Sequence, residues 1–239
     1  MVKPWRAIPE EFPSRMIKKL LKHLFETSLT KKTQTNPNKQ KPTKKSGRAT
    51  NHESAQRISS KVHKIDKKWI SNAAIKTTEG LQKAGFEAFI VGGAVRDLLL
   101  KKQPKDFDVA TNATPEQVNR IFRRSRIIGR RFRLVHVMFG DETIEVSTFR
   151  GSHEADSEHG KTADTGRILR DNVFGDQAED ALRRDFTANA LYYDPSTQEV
   201  LDFHQGVTDI QAGILKMIGD PTTRYREDPV RMLRAVRLA

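Results

Sequence analysis

The residues best suited to chemistry are an acidic pair, Asp106 and Asp108, which follows closely on a double-glycine segment, Gly92-Gly93. In a strand, the alternation Asp-Phe-Asp-Val over residues 106–109 would send both carboxylates to one face and both apolar side chains to the other. Neighbouring carboxylates repel each other, and Mg²⁺, which prefers oxygen ligands, would neutralise them. The pattern predicts a magnesium and phosphate site, the alternative being a solvated surface pair.

A buried strand and a sharp turn must position this site. The mostly apolar segment from Phe86 to Val91 predicts a short buried strand that runs directly into the glycines. Because Gly92 and Gly93 have no Cβ, the backbone can turn there and approach a ligand closely.

The stretch from Phe89 to Thr111 resembles the signature of the nucleotidyltransferase superfamily that contains bacterial poly(A) polymerases and CCA-adding enzymes. That signature is G-G-x-V-R-D, a short spacer and D-x-D, and every position is matched. The resemblance implies that Asp106 and Asp108 are catalytic and hold metal ions. It also implies that Gly92, Gly93 and Arg96 contact a nucleoside triphosphate.

The resemblance extends over about residues 67–239 and implies an α+β fold. The expected architecture is a nucleotidyltransferase (polymerase-β-like) head domain with a mixed antiparallel sheet flanked by helices. We predict three parts. Residues 1–60 form a basic, largely disordered extension with one amphipathic helix, residues 61–205 form the catalytic head, and residues 206–239 begin a helical RNA-binding neck that the end of the chain truncates.

A third carboxylate, Glu145, lies in a predicted strand from Thr143 to Phe149. The spacing places Glu145 opposite the apolar Ile144 and Val146, which on its own favours a solvent-facing residue of an edge strand. The family, however, carries a glutamate in its matching E-V-x-T-F-R segment. The resemblance therefore implies that Glu145 is a catalytic, metal-binding residue.

A second family motif, R-R-D-F-T-x-N-A, matches residues 183–190. We predict a helix from Glu179 to Leu191, in which Asp185 and Asn189 share a face at i and i+4. Taken alone, the segment is more typical of an exposed, salt-bridged helix face. The resemblance implies nucleotide contacts for Arg183, Arg184 and Asn189, and an active-site carboxylate at Asp185.

A third motif, E-D-x-x-R, is matched by Glu227, Asp228 and Arg231 near the end of the chain. Asp228 is the predicted cap of a helix whose first residue is Pro229. The resemblance implies that this motif contacts the base of the incoming nucleotide, whereas the alternative is a purely structural helix face.

Turn and capping patterns predict the remaining elements. Helices are expected from Asp66 to Ala84, from Thr114 to about Arg124 with a capping box, and from Gly206 to Gly213. Further strands are expected at residues 127–131, 134–139, 191–193 and 200–203, and a mobile loop at 151–171. In that loop, His153 and His159 are interpreted as solvated residues rather than zinc ligands.

The net charge of +13 is concentrated at the start of the chain, because residues 1–66 hold 16 Lys/Arg and 5 Asp/Glu, a balance of +11. Residues 30–51 have almost no large apolar side chains, which predicts a disordered linker whose lysines contact phosphates or only aid solubility. Residues 13–25 form a predicted basic amphipathic helix that would dock on the domain, on a protein partner or on a membrane surface.

The chain has no cysteine and no apolar run of transmembrane length, so we expect a cytoplasmic protein without disulfides. The segments at 128–137 and 169–175 look like the poly(A) polymerase branch. The predicted function is template-independent addition of AMP from ATP to RNA 3′ ends with two Mg²⁺ ions. The alternatives are CCA addition to tRNA and a noncatalytic RNA-binding fragment.

Overall fold

The computed structural model describes residues 54–129, 132–151, 161–162, 168–170 and 174–239. They belong to one compact unit, Thr50–Ala239. The predicted N-terminal helix and linker, the histidines at 153 and 159, and the arginines at 130 and 131 lie outside the described residues.

Ten strands are present among these residues. In chain order they are β1 (Gln56–Ile58), β2 (Ala88–Val91), β3 (Asp108–Thr111), β4 (Ser125–Ile128), β5 (Leu134–Phe139), β6 (Glu142–Thr148), β7 (Lys161–Thr162), β8 (Ile168–Arg170), β9 (Leu191–Asp194) and β10 (Glu199–Asp202). Eight of them form one sheet in the order β1-β10-β9-β2-β3-β6-β5-β4, and β7 pairs separately with β8. The described part of the predicted 151–171 loop therefore contains a short strand pair, and the expectation of a loop without structure was wrong there.

The helices flank this sheet. The α-helices are α1 (Ser60–His63), α2 (Asn72–Lys83), α3 (Gly93–Leu99), α4 (Pro115–Ile121), α5 (Gln177–Arg183), α6 (Gly206–Ala212), α7 (Pro221–Glu227) and α8 (Val230–Leu238), and 3₁₀ turns occupy Lys67–Trp69 and Thr187–Asn189. Among the described residues, no helix is long and apolar enough to span a membrane.

The large sheet is mixed, as expected. All of its strand pairs are antiparallel except β3 with β6, which run parallel. In that parallel register, Asp108 lies beside Glu145 and Val109 beside Val146. Val109 and Val146 are buried, whereas Asp108 and Glu145 are exposed on the opposite face. The period-two prediction is thereby confirmed for β6. For the first acidic segment the alternation of exposure is as predicted, but the strand begins only at Asp108, so Asp106 and Phe107 precede it.

Local hydrogen bonds explain where the helices begin. The predicted capping box of α4 is present, because Thr114 and Gln117 each accept a backbone N–H from the other. The helix predicted from Asp66 is interrupted. Asp66 caps only a 3₁₀ turn, and the hydroxyl of Ser71 accepts the N–H groups of Ala73 and Ala74 to start α2.

Two apolar clusters lie on opposite faces of the sheet. The larger cluster packs α2, α3 and α4 against one face, and its members include Leu81, Val95 and Val118. The smaller cluster contains Phe89, Phe149 and Tyr192 and packs α5 against the other face. The acidic side chains of β3 and β6 share the face of the smaller cluster, so the site lies on that side of the sheet.

The division into extension, head and neck stays a prediction, and β1 lies just before the proposed start of the head.

Candidate active site

The acidic centre is built where β3 begins beside the middle of β6. Asp106 and Asp108 alternate with the buried Phe107, so both carboxylates leave the apolar core. Glu145 joins them from β6, and its carboxylate lies 3.5 Å from Nε2 of His136 on β5. Asp108 and Glu145 thus come from two neighbouring strands, and Asp106 from just before β3, although the two register partners are 37 positions apart along the chain.

The electrostatics of Asp108 reflect this crowding. The pKa of Asp108 is raised from 3.8 to about 6, first by burial and then by the negative charges of Glu145 and Asp106, while Arg184 opposes the shift. Like-charge repulsion of this kind is what a divalent cation relieves. The donor set, which is entirely carboxylate oxygen, therefore fits Mg²⁺. Among the described residues, no three Asp, Glu, His or Cys side chains are arranged so that they could hold a metal ion together, so the fit rests on the chemistry of the donors.

The glycine turn follows directly on β2, whose last residue, Val91, pairs with Asp108 of β3. Gly92 has a φ of +71°, a conformation that favours glycine, and it leads directly into α3. A Cβ at Gly92 would lie 3.6 Å from Nη1 of Arg184, so the turn and this guanidinium face each other. On α3, Arg96 donates to Asp97 at 2.7 and 2.9 Å and to Oδ1 of Asn189 at 2.8 Å.

The second motif is not one helix, which corrects the prediction for residues 179–191. Helix α5 begins earlier, at Gln177 after an Asp176 capping box, and ends at Arg183. Residue Phe186 then forms an isolated bridge, and a 3₁₀ turn follows. Ending the helix at Arg183 allows Arg184 to fold back onto Asp180, to which it donates at 2.9 and 3.1 Å.

Asp185 and Asn189 still meet, although a loop rather than a helix brings them together. The amide of Asn189 donates to Oδ1 of Asp185 at 3.3 Å, and the backbone N–H of Phe186 donates to the same oxygen at 2.8 Å. Burial opposes the ionisation of Asp185, but the nearby Arg234, which donates from Nε at 2.6 Å, gives a net lowering of its pKa. Asp185 is thus held as a buried carboxylate.

The third motif lies at the junction of α7 and α8. Arg231 is buried and donates to Glu227 at 3.0 Å and to the backbone carbonyl of Arg224 at 2.8 Å. Asp228 accepts the N–H of Val230 and so helps to start α8, close to where it was predicted to act as a cap. The start of α7 at Pro221, capped by Asp220, was not predicted.

Most of the predicted site residues line a single cleft of about 930 Å³. Those that line it are Gly92, Gly93, Arg96, Asp106, Asp108, Arg184, Asp185, Asn189, Asp228 and Arg231. Three do not. Glu145 lies beside Asp108 on the neighbouring strand, Arg183 donates to the carbonyl of Gly151, and Glu227 pairs with Arg224 and Arg231.

The cleft also contains charged residues that sequence reasoning missed. They are Asp97, Lys102, Lys105, Arg234 and Arg237. The two lysines lie in the spacer before Asp106, and the two arginines follow Arg231 at helical spacing. That spacing, at every third residue, was the available signal that α8 turns a row of arginines toward one surface.

Comparison with known proteins places this arrangement among nucleotidyltransferases. Residues 88–216 match the family model described as the poly A polymerase head domain. The chain is 58% identical over 180 residues to poly(A) polymerase I of Salmonella typhimurium, covering 74% of this chain and 39% of that protein. It is 41% identical over 177 residues to the CCA-adding enzyme of Lactobacillus helveticus, covering 74% and 42%.

A solved structure shows the same relationship. The CCA-adding enzyme of Bacillus stearothermophilus in complex with CTP aligns with a TM-score of 0.58 and 34% identity, over 69% of this chain and 38% of that one. The chain spans about two fifths of the length of the relatives it matches.

Proposed function

Because the chain belongs to the poly A polymerase head-domain family, we propose that it transfers AMP from ATP to RNA 3′ ends without a template. The observation that carries this proposal is the pairing of Asp108 with Glu145 beside β2, the strand that leads into the Gly92-Gly93 turn, and this turn faces Arg184. Adenylation is preferred to CCA addition because identity to poly(A) polymerase I is 58%, against 41% for a CCA-adding enzyme.

The side chains of the cleft have distinct proposed roles. Asp106, Asp108 and Glu145 would hold Mg²⁺, which when bound lowers the pKa of the attacking hydroxyl and stabilises charge on the leaving pyrophosphate. Arg184, Arg96 and the N–H groups of the glycine turn would bind and orient the triphosphate. Asp228 and Arg231 would contact the base, with Glu227 holding Arg231 in place. Asp185 would keep Asn189 oriented toward the nucleotide.

The substrate and the domain arrangement belong to the same proposal. RNA would enter with its 3′ hydroxyl near the carboxylates, and the basic rim formed by Lys102, Lys105, Arg234 and Arg237 would contact its phosphates. The head would comprise residues 61–205, with β1 added at its edge, and residues 206–239 would begin a helical neck.

Incubation of the protein with labelled RNA, Mg²⁺ and each nucleoside triphosphate separately tests the proposal. We expect homopolymeric A tails from ATP. Asp106→Ala and Asp108→Ala should abolish transfer without loss of folding, whereas Asp141→Ala, in the exposed β5–β6 turn, should retain it. A product that ends in C-C-A on tRNA would favour the CCA-adding alternative. RNA binding without any nucleotide transfer would favour the noncatalytic one.

A further inference from the structure

One edge of the Arg184 guanidinium is bound by two buried side chains, Asp180 and Tyr192. Both residues lie outside the three family motifs. Nε and Nη2 of Arg184 both donate to Oδ2 of Asp180, and Nε also donates to the hydroxyl of Tyr192 at 3.0 Å. The Tyr192 hydroxyl in turn donates to the same Asp180 oxygen at 2.7 Å. Asp180 and Tyr192 are both buried, at 7% and 0% exposure.

This arrangement leaves the other edge of the guanidinium for the cleft. Nη1 donates to the carbonyl of Asn189 at 3.4 Å, which uses one of its two N–H groups, and it faces the Gly92 turn. A guanidinium is planar and rigid, so fixing its Nε and Nη2 also fixes the direction in which Nη1 points. The second oxygen of Asp180 accepts the backbone N–H of Arg150 at 3.2 Å, which ties the same carboxylate to the end of the strand that carries Glu145.

We propose that Asp180 and Tyr192 are positioning residues that aim Nη1 of Arg184 at the polyphosphate of a nucleoside triphosphate. The inference rests on the proposed function, since it requires a triphosphate beside the Gly92-Gly93 turn. Neither residue touches the nucleotide. Their contribution is to bind one edge of the guanidinium before the substrate arrives, so that less conformational freedom is lost on binding.

Tyr192→Phe is the decisive variant because it removes one hydroxyl and keeps the ring that packs against Phe89, Phe149 and Phe203. Tyr193→Phe is the matched control. Tyr193 is the next residue of β9, is equally buried at 1% exposure, and belongs to the cluster on the opposite face of the sheet.

The test measures the binding of Mg·ATP and of adenosine by calorimetry or by competition. Loss of one hydrogen bond to a charged group predicts that the Tyr192→Phe variant binds ATP about fivefold more weakly. Its affinity for adenosine and the ATP affinity of the Tyr193→Phe variant should stay at the wild-type value. In turnover assays, KM for ATP should rise more than kcat falls.

Asp180→Asn, if it folds, should weaken ATP binding more than Tyr192→Phe does, because Arg184 then loses its charged partner. Unchanged ATP affinity in the Tyr192→Phe variant, or an equal loss for ATP and adenosine, would overturn the positioning role. A wild-type protein that binds no ATP would instead reject the proposed function. The two failures are therefore distinguishable.

Discussion

Replacing Asp108 with asparagine should stabilise the protein, and by an amount that depends on pH. The side chain keeps its size but loses the charge that burial and two neighbouring carboxylates disfavour. The folded-state pKa is about 6 against an ordinary value of 3.8, and this difference corresponds to about 3 kcal/mol at most. Asp108 is nevertheless an exposed residue, so screening by solvent reduces the expected gain to about 1 kcal/mol.

The sign of the pH dependence follows from linkage. A raised folded-state pKa gives wild-type stability that is fully present below pH 3.8 and is lost as the pH rises through about 6. The Asp108→Asn variant has no such loss. We therefore expect the two proteins to have equal free energies of unfolding well below pH 3.8 and to differ by about 1 kcal/mol at pH 8.

Urea unfolding with EDTA across this pH range measures the difference. Asp141→Asn removes the same charge from an exposed turn and serves as the control, with no pH-dependent gain expected. Adding Mg²⁺ at pH 8 should narrow the gap, because only the wild type retains all three carboxylates. A gap that is the same at pH 4 and pH 8, or a variant less stable than the wild type, would refute the reasoning.

Two further predictions concern other parts of the chain. Arg234→Met should destabilise the fold by about 1 kcal/mol at pH 8, because the buried Asp185 loses its ion pair. This loss of stability should fade as the pH falls below 3.8 and Asp185 becomes protonated. Urea unfolding measures the effect, and Arg237→Met on the next turn is the control. Deleting residues 1–53, which leaves β1 intact, should weaken RNA binding and flatten its salt dependence while ATP affinity is unchanged. Fluorescence anisotropy over a salt series measures this, and an unchanged slope would mean that the extension only aids solubility.

The acidic strands were predictable because one local rule governs them. Alternation of Asp106 and Asp108 with Phe107 and Val109 has a strand period, and burial of the apolar pair forces the carboxylates outward. The same rule placed Glu145. What spacing could not supply was the parallel pairing that brings Glu145 beside Asp108, and only the family resemblance joined the two strands in advance.

The helix predicted over residues 179–191 shows where local rules fail. Arg184 and the residues after it have acceptable helix propensity, but the contacts that end the helix come from elsewhere in the chain. The Arg224 guanidinium donates to the carbonyls of Arg183 and Arg184 at 2.6 and 2.5 Å. The contact between Arg234 and Asp185 joins residues 49 positions apart, so local sequence patterns could not predict it either.

The parallel pairing of β3 with β6 also determines where the chain can tolerate added residues. Side chains alternate between the two faces along a strand. One residue inserted in β6 between the β5–β6 turn and Glu145 would therefore shift the pairing of β6 with β3, or place the Glu145 carboxylate in the apolar layer. An insertion in the Gly140-Asp141 turn would lengthen the hairpin and leave the register of β3 with β6 unchanged. We therefore expect single-residue insertions to be tolerated in the Gly140-Asp141 turn and to abolish nucleotide transfer a few residues later, beyond about Glu142. An insertion scan that measures transfer activity would locate this boundary.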